Sequence, residues 1–324
     1  MESSVGGIVN KFKMRSRRDV LVFDDILVEY IKRCEKAGYK KDMEEIGFYW
    51  GSLTIQAFLP RALRVIPVSV IANTIGMTVW RNIGLLDYMK VVQKNGMATL
   101  ETRNEYITRT IGKNSFIIGK YAAILSFLSA RNVELLKSKQ TTKDSIYVFK
   151  VKKERRTDVR SKGKRRYDQL NQKKIDIEYT LKDFLKRRIF QIQNNKLFFR
   201  EQSMLSLENT LFCIISNRAV MLDEVCEISY DFFKKVIKSE KIEEHVSFLK
   251  KLMQVMGWGR FKIIIQSQNK IKFEIENAPC GLQEEPDNWD FLVFMILGYL
   301  RVFDKKFHLS EKNFGKKICL QFRY

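Results

Sequence analysis

The chain has 324 residues, 45% of them hydrophobic, and a formal net charge of +22. The hydrophobic share excludes a disordered polyelectrolyte, and the length favours two domains of roughly 100–200 residues each. Five cysteines without a C-x-x-C pair argue against a disulfide framework and predict free thiols in a reducing cytoplasm. We expect neither a secretory signal nor a membrane span, because no apolar run reaches the length of about 18 residues that a span needs.

The first half of the chain predicts three helices, a hairpin, a fourth helix and a second hairpin. A basic tail covers residues 1–18, and a first domain is predicted over residues 19–151. Asn95-Gly96 between two alternating apolar runs is the strongest short-range hairpin signal. The predicted strands are 20–23, 88–93, 97–103, 133–137 and 146–151. The first predicted helix is capped by Asp24 or Asp25, and the other predicted helices cover 43–59, 65–82 and 115–129.

The second half, predicted as a domain over residues 196–324, follows the same order of elements. Its predicted strands are 197–199, 261–265, 271–275, 307–309 and 318–322, and its predicted helices are 205–216, 223–237, 243–256 and 291–303. Helices followed by paired strands are typical of an α+β fold, here two tandem similar domains, each with an antiparallel sheet packed against helices.

An internal repeat supports this division. Residues 88–104 read as an apolar strand, a turn and then Leu-Glu-x-x-Asn, and residues 260–277 repeat the pattern with Phe-Glu-x-x-Asn about 172 positions later. Each copy precedes an apolar helix that begins with a phenylalanine, Phe116 or Phe291. A period of this length indicates a duplicated domain, because solenoid repeats are much shorter.

The halves are joined by a basic linker and helix, residues 152–195. Residues 152–188 hold 15 Lys and Arg against 6 Asp and Glu. Such a segment can neutralise phosphates, and Tyr167 and Tyr179 could stack on bases. A linker that is merely solvated is the alternative, since few of its residues are apolar. The candidate contacts with nucleic acid or with an anionic partner are Arg155, Arg156, Lys164, Arg165, Arg166, Lys173 and Lys174.

Four motifs together resemble the 4-vinyl reductase domain family. They are the G-x-G run within Met256–Ile263, the segment Asn277-Ala278-Pro279, the F-x-x-G helix at Phe116-x-x-Gly119, and the ending Gly315-x-x-x-Cys319. The resemblance implies a small α+β fold shared with subunits of vesicle-tethering complexes and with haem-based nitric-oxide sensors. It further implies domains that bind small apolar ligands, sense or assemble, and are rarely catalytic.

The resemblance does not lead us to expect a cofactor. Some family members carry a cysteine-rich metal site, but Asn288-Trp289-Asp290 stands where one such cysteine is expected. A haem of the gas-sensor type needs a proximal histidine, and His245 and His308, the two in the chain, do not match each other in the repeat. We therefore predict no metal and no haem.

Three aromatic side chains, Trp50, Phe58 and Trp80, suit a pocket for an apolar ligand. Packing in the hydrophobic core is the competing interpretation, and it is the one that we favour. Glu101 and Glu274 share one repeat position, which predicts exposed strand positions rather than an acid–base pair.

Three further sets of residues have ordinary structural interpretations. Cys280 and Cys319 with His308 and Asp290 could complete a zinc site, but buried free thiols are the simpler interpretation. The segment 112–115 resembles a phosphate-binding loop but lacks its first glycine, which favours a turn before a helix. The acidic residues Glu284, Glu285, Asp287 and Asp290 could be metal carboxylates, but they are interpreted as a solvated loop.

The sequence therefore predicts a non-enzymatic ligand-sensing or assembly protein whose paired domains pack as an internal pseudo-dimer, with a homodimer as a further option. The alternative is a regulatory factor that binds DNA or RNA through the basic linker and tail. No set of residues in the sequence predicts catalysis.

Overall fold

Helices and antiparallel strands follow one another along the chain, which confirms the α+β class. The structure is a computed structural model, and it describes residues 19–58, 66–82, 84–155, 178–193, 196–237, 242–267, 270–276, 278, 288–315 and 317–324. In the first half the elements are β1 Asp19–Phe23, α1 Asp24–Lys36, α2 Lys40–Phe58, α3 Val68–Ile71, a π-helical turn Ala72–Gly76, α4 Met77–Asn82, β2 Tyr88–Lys94, β3 Met97–Arg103, α5 Thr108–Ile111, α6 Ser115–Ser129, β4 Arg131–Gln140 and β5 Asp144–Arg155.

The second half has the same general order of elements. They are α7 Leu181–Lys186, β6 Phe190–Gln193, β7 Lys196–Phe199, β8 Gln202–Glu208, α8 Thr210–Arg218, α9 Leu222–Val236, α10 Ile242–Val255, β9 Arg260–Ser267, β10 Lys270–Glu276, α11 Asp290–Arg301, β11 His308–Phe314 and β12 Ile318–Arg323. Among these described helices, none is long and apolar enough to cross a membrane.

Two sheets of the described residues share one topology. Their strand orders are β2-β3-β5-β4 and β9-β10-β12-β11, so in each sheet the second strand of one hairpin pairs with the second strand of the other. The helix between the hairpins is α6 in the first sheet and α11 in the second. Leu100 lies opposite Tyr147 in the first sheet, and Phe273 lies opposite Leu320 in the second.

A third sheet joins the two halves, in the order β1-β8-β7-β6. β1 pairs antiparallel with β8. The backbone of Leu21 in β1 also makes two hydrogen bonds to residues outside the sheet. Its N–H donates to Met256 O at 2.8 Å, and its carbonyl accepts from Trp258 Nε1 at 3.0 Å. The buried apolar side chains of both halves form one connected cluster. The division into two domains thus stays a prediction.

The helices of the two halves pack reciprocally. α1 of the first half packs on α9 of the second, and α8 of the second half packs on α2 of the first. An arginine on each short helix pairs with a glutamate on the long helix of the other half, Arg33 with Glu224 and Arg218 with Glu45. These helix contacts and ion pairs join the two halves within the described part of the chain.

Glycines let the long helices touch within each half. A Cβ at Gly47 of α2 would overlap with the carbonyl oxygen of Phe116 in α6, and one at Gly119 would overlap with the carbonyl oxygen of Glu44. In the second half, Gly298 of α11 meets the backbone of α9 in the same way. Because glycine has no Cβ, the backbones of α2 and α6 can touch at these positions.

Most of the predicted elements are confirmed. The turn at Asn95-Gly96 has φ of 53° and 72° at its two central residues, as an Asn-Gly hairpin turn requires. The helix predicted over 115–129 has these bounds in the structure, and α7 with its capping box at Thr180 and Asp183 confirms the helix expected after the linker.

Four predictions about local structure were wrong in detail. Residues 202–208 form β8 where the helix 205–216 was predicted to begin, and a π-helical turn interrupts the helix predicted over 65–82. β5 continues to Arg155, so the basic linker begins later than residue 152. Asp24 does not cap α1, because Phe23 is the N-cap residue and Asp24 is buried in an ion pair with Arg109 at 3.0 Å.

Candidate functional site

A lysine is buried in the first half inside a cage of four aromatic rings, which we call the Lys120 cage. Lys120 of α6 is 4% exposed. Its Nζ lies 5.3 Å from the ring centroid of Trp50, 4.9 Å from Trp80, 5.0 Å from Tyr106 and 5.6 Å from Tyr121. These distances are within the range of cation–π interactions. Within the described part of the chain, Nζ makes no hydrogen bond and no ion pair.

A buried carboxylate, Glu105, lies beside the cage and accepts three hydroxyl hydrogen bonds. Tyr121 donates to Oε1 at 2.6 Å, Thr108 Oγ1 donates to Oε2 at 2.8 Å, and the Tyr147 hydroxyl donates to Oε2 at 3.3 Å. These bonds hold the carboxyl group in place. It therefore acts on Lys120 through its charge rather than through a direct ion pair.

The fold places Lys120 by a helix cap and a helix contact. The side chain of Asn114 accepts a hydrogen bond from the Ile117 N–H at 3.0 Å and so starts α6 five residues before Lys120. A Cβ at Gly51 of α2 would lie 2.8 Å from the Lys120 carbonyl oxygen. The lysine stem thus begins at the contact between α2 and α6, next to Trp50.

Burial shifts the pKa values of this cluster towards the uncharged forms. Desolvation lowers the pKa of Lys120 to about 8, against the opposing charge of Glu105. Desolvation raises the pKa of Glu105, while Lys120 and the three hydroxyl groups act in the opposite direction. Burial and the charge of Glu105 raise the pKa of Tyr121 and of Tyr147, so both hydroxyls stay protonated and can donate.

Two polar atoms on the walls of the cage have no hydrogen-bond partner among the described residues. They are the indole Nε1 of Trp50 and the hydroxyl of Tyr106, on side chains that are 3% and 0% exposed. Each unpartnered buried polar group costs free energy. Other buried polar atoms of the described residues, such as those of the Gln254 side chain, are also unpartnered, so what distinguishes these two is that both belong to rings around Nζ. The Lys120 cage thus combines a buried amine with two unused hydrogen-bond donors.

A cavity of about 210 Å³ lies between α9, α10 and α11 of the second half. Its walls are mostly apolar, and the charged residues at its edge, Arg200 and Glu244, are exposed. His245 lies in its wall, and the Tyr299 hydroxyl donates to the His245 carbonyl oxygen at 3.0 Å. This cavity has apolar walls without a buried charge, so the Lys120 cage is the stronger candidate.

Two of the three predicted pocket residues meet at the cage. Trp50 and Trp80 both face Lys120, although α2 and α4 lie far apart in sequence from α6. The side chain of Phe58 lies outside the described residues. Sequence reasoning missed Lys120 and Glu105. The available signal was the single charged residue within the otherwise apolar and polar-uncharged helix 115–129.

The predicted basic contacts are not described. Arg156, Lys164, Arg165, Arg166, Lys173 and Lys174 lie outside the described residues, and so does the side chain of Arg155 at the end of β5. Tyr179, one of the two tyrosines proposed to stack on bases, lies 5.1 Å from Lys251 Nζ in a cation–π contact. The nucleic-acid hypothesis is thus untested by these contacts.

Two of the residues weighed for zinc, His308 and Cys319, lie apart in the structure. His308 begins β11, whereas Cys319 lies opposite Asn313, five residues further along that strand, or roughly 16 Å away. Asp290 forms an ion pair with a lysine, and Cys280 lies outside the described residues. Across the residues the structure describes, no cluster of three His, Cys, Asp or Glu could hold a metal ion.

The two glutamates of the repeat lie on different sheets. Glu101 is exposed on β3, and Glu274 on β10 pairs with Lys272 at 2.9 Å. The hydrogen bond from Lys272 lowers the pKa of Glu274. Neither glutamate lies in the Lys120 cage, so they do not form a site together.

No protein-family model matches the chain, and no curated protein matches it. The resemblance to the 4-vinyl reductase family therefore stays a prediction from its motifs. The G-x-G motif has a backbone reason in this fold, because Gly257 and Gly259 have φ of 88° and 121°. Side chains rarely adopt these angles, so both positions favour glycine whatever the family.

Proposed function

We propose that the chain is a non-enzymatic protein that binds a small ligand in the Lys120 cage, with its two halves packed as an internal pseudo-dimer. The observation that carries this proposal is a buried amine among rings whose Trp50 Nε1 and Tyr106 hydroxyl have no hydrogen-bond partner in the part of the chain that the structure describes. Burying such groups costs several kcal/mol unless partners compensate. A bound ligand would supply the missing partners.

Packing alone does not require this cluster. Lys120 is the sixth residue of α6, and the sixth residue of α11, Met295, is fully buried and apolar. An apolar side chain of similar length therefore suits the same place in a sheet of the same topology. The aromatic walls favour a ligand with an apolar body, and the nearly complete burial of Lys120 favours retention of a ligand over rapid turnover.

The reciprocal packing of the halves supports a sensing role. α2 carries Trp50 in the cage and also Glu45, which pairs with Arg218 of the second half at 3.8 Å. A ligand that moves Trp50 would shift the helix that contacts the other half. Binding in one half can thus alter the interface with the other.

Ligand-dependent thermal stability tests the proposal. A library of small apolar compounds is screened against the full chain, and we expect ligands that raise Tm for the wild type but much less for Trp80→Leu, which removes a cage wall. Trp289→Leu is the matched control, because Trp289 is also buried but lies in the second half. Ligands that stabilise all three proteins equally, or no stabilising ligand at all, would contradict the proposal.

The observation that supports the alternative function, binding of DNA or RNA, is the basic composition of residues 152–188. This segment has 15 Lys and Arg against 6 Asp and Glu. Fluorescence anisotropy with labelled duplex DNA and single-stranded RNA measures this binding. The alternative expects affinity that falls steeply with salt and disappears when residues 156–174 are deleted, a deletion that spares β5. Binding that persists after the deletion would exclude the linker as the contact.

A further inference from the structure

We propose that the Lys120 cage captures an aldehyde or ketone with an apolar body as a reversible imine on Nζ of Lys120. The inference rests on the proposed function and names the chemical class of its ligand. It assigns a separate task to the amine, to the two unused donors and to the carboxyl group of Glu105.

The amine is placed to act as a nucleophile. Its Nζ has ring faces of Trp50, Trp80, Tyr106 and Tyr121 around it and donates no hydrogen bond within the described part of the chain. A lysine desolvated in an apolar pocket is activated in this way, because burial disfavours the ammonium form. The lowered pKa of Lys120, about 8, agrees with this reasoning.

The unused donors fit a carbonyl oxygen. Trp50 Nε1 and the Tyr106 hydroxyl belong to two of the rings that surround Nζ, and both are fully buried. When the amine adds to a carbonyl carbon, negative charge develops on the oxygen, and preorganised donors stabilise that charge. We expect the oxygen of a bound carbonyl compound to accept hydrogen bonds from these two donors, which have no partner among the described residues.

The reaction balances without an oxidant or a reductant. The Nζ lone pair attacks the carbonyl carbon, a C–N bond forms, and the π electrons of the carbonyl move onto oxygen. The adduct carries a positive charge on nitrogen, which the negative charge of Glu105 stabilises. One N–H proton moves from nitrogen to the oxygen and gives the neutral carbinolamine. The second N–H proton then moves to the hydroxyl group, which leaves as water as the C=N bond forms. One amine and one carbonyl compound give one imine and one water.

Reductive trapping tests the inference with benzaldehyde as the large probe and formaldehyde as the small probe. The full chain is treated with one equivalent of either aldehyde and sodium cyanoborohydride at about pH 7.5, and the modified lysines are located by peptide mass spectrometry. At this pH, a pKa of about 8 gives Lys120 roughly 200-fold more neutral amine than an ordinary exposed lysine. We expect Lys120 to react at least about 10-fold faster than the exposed lysines.

Variants separate imine formation from general reactivity. Lys120→Arg should abolish the early adduct, whereas Lys250→Arg, at a lysine paired with Glu178 outside the cage, should leave it unchanged. Trp50→Phe and Tyr106→Phe keep an aromatic wall but remove a donor, so each should slow trapping about 10-fold or more. Their thermal unfolding curves check that the fold is retained.

Two outcomes would overturn the inference. One is labelling by both aldehydes that spreads over exposed lysines and leaves Lys120 unmodified in the wild type. The other is early labelling of Lys120 that neither the Trp50 nor the Tyr106 substitution slows, because the donors would then have no role. If ligands still stabilise the wild type but not Trp80→Leu while trapping fails, the proposed function stands and only the carbonyl class is wrong.

Discussion

Helices α6 and α11 lie between the two hairpins of sheets that share one topology, yet the buried side chains of the two helices differ in polarity. The second residue is a buried phenylalanine in both helices, whereas the sixth and seventh residues are Lys120 and Tyr121 in α6 but Met295 and Ile296 in α11. On the strand that pairs with the first hairpin, Tyr147 lies opposite Leu100 in one sheet, and Leu320 lies opposite Phe273 in the other. The difference teaches that this architecture needs only apolar packing here, so the polar cluster of the first half has another cause.

The largest effect is expected from removing the charge partner of Lys120. Glu105→Leu leaves a buried ammonium without its opposing charge and leaves the hydroxyls of Thr108, Tyr121 and Tyr147 without their acceptor. We expect a loss of about 3–5 kcal/mol in the free energy of unfolding, measured by chemical denaturation. Glu101→Leu on the exposed face of β3 is the control and should change stability by about 0.5 kcal/mol or less.

A double variant completes this comparison. Lys120→Met places in α6 the residue that α11 has at the same helix position. Combined with Glu105→Leu, it should restore about 1–3 kcal/mol relative to the sum of the two single effects, because no buried charge then remains. Strict additivity would mean that Lys120 and Glu105 are not coupled.

The second effect concerns the glycines at the helix crossings. Gly119→Ala and Gly298→Ala each place a Cβ against backbone atoms of the facing helix, so each should cost about 3 kcal/mol. Gly315→Ala is the control, since the nearest atom to its Cβ would be 3.6 Å away. If only the Gly119 variant were destabilised, the two helix crossings would not be equivalent. The halves would then be similar in sheet topology but not in helix packing.

The third effect is the pH dependence that Lys120 gives to the first half. Its pKa is about 8 in the folded chain against an ordinary value of 10.5, so the unfolded chain binds more protons between these values. Stability from this group therefore rises as pH increases from about 8 to 10.5, by at most about 1.4 kcal/mol per pH unit. Below pH 8 the full penalty of the buried charge is present.

The measurement is the difference in unfolding free energy between the wild type and Lys120→Met at several pH values from 7 to 10. The difference cancels the titration of the other lysines and tyrosines. A difference that stays constant over this range would show that Lys120 titrates normally, and the amine would then lack the neutral form that imine formation needs.

Local signals account for what the sequence predicted correctly. The turn at Asn95-Gly96 and the cap at Asn114 are set by neighbouring residues, so the hairpin and α6 could be placed from the sequence. β8 could not, because its partner β1 lies about 185 residues earlier and its Leu and Ser residues suit a helix equally well.

The candidate site shows the same limit. Trp50 and Trp80 were recognised as pocket residues, but the cage is assembled from α2, α4, α6 and the segment after β3. A single lysine in an apolar helix can also reach solvent with its flexible stem, and only the packing of these elements decides that it does not. No sequence motif marks Glu105, because its three hydroxyl donors are far apart in the sequence or lack a recognisable spacing.

The smallest effect tests the reciprocal interface between the halves. Arg33 pairs with Glu224 and with Asp231 at 3.8 Å, whereas Arg218 has its pair with Glu45 at 3.8 Å and is more exposed. Arg33→Ala should cost about 1 kcal/mol, and Arg218→Ala about 0.5 kcal/mol or less, because solvent screens the second pair more strongly. Chemical denaturation at low and high salt measures both. Equal losses, or losses that ignore salt, would mean that apolar contacts of α1 and α8 hold the halves together and that the charge pairs only accompany them.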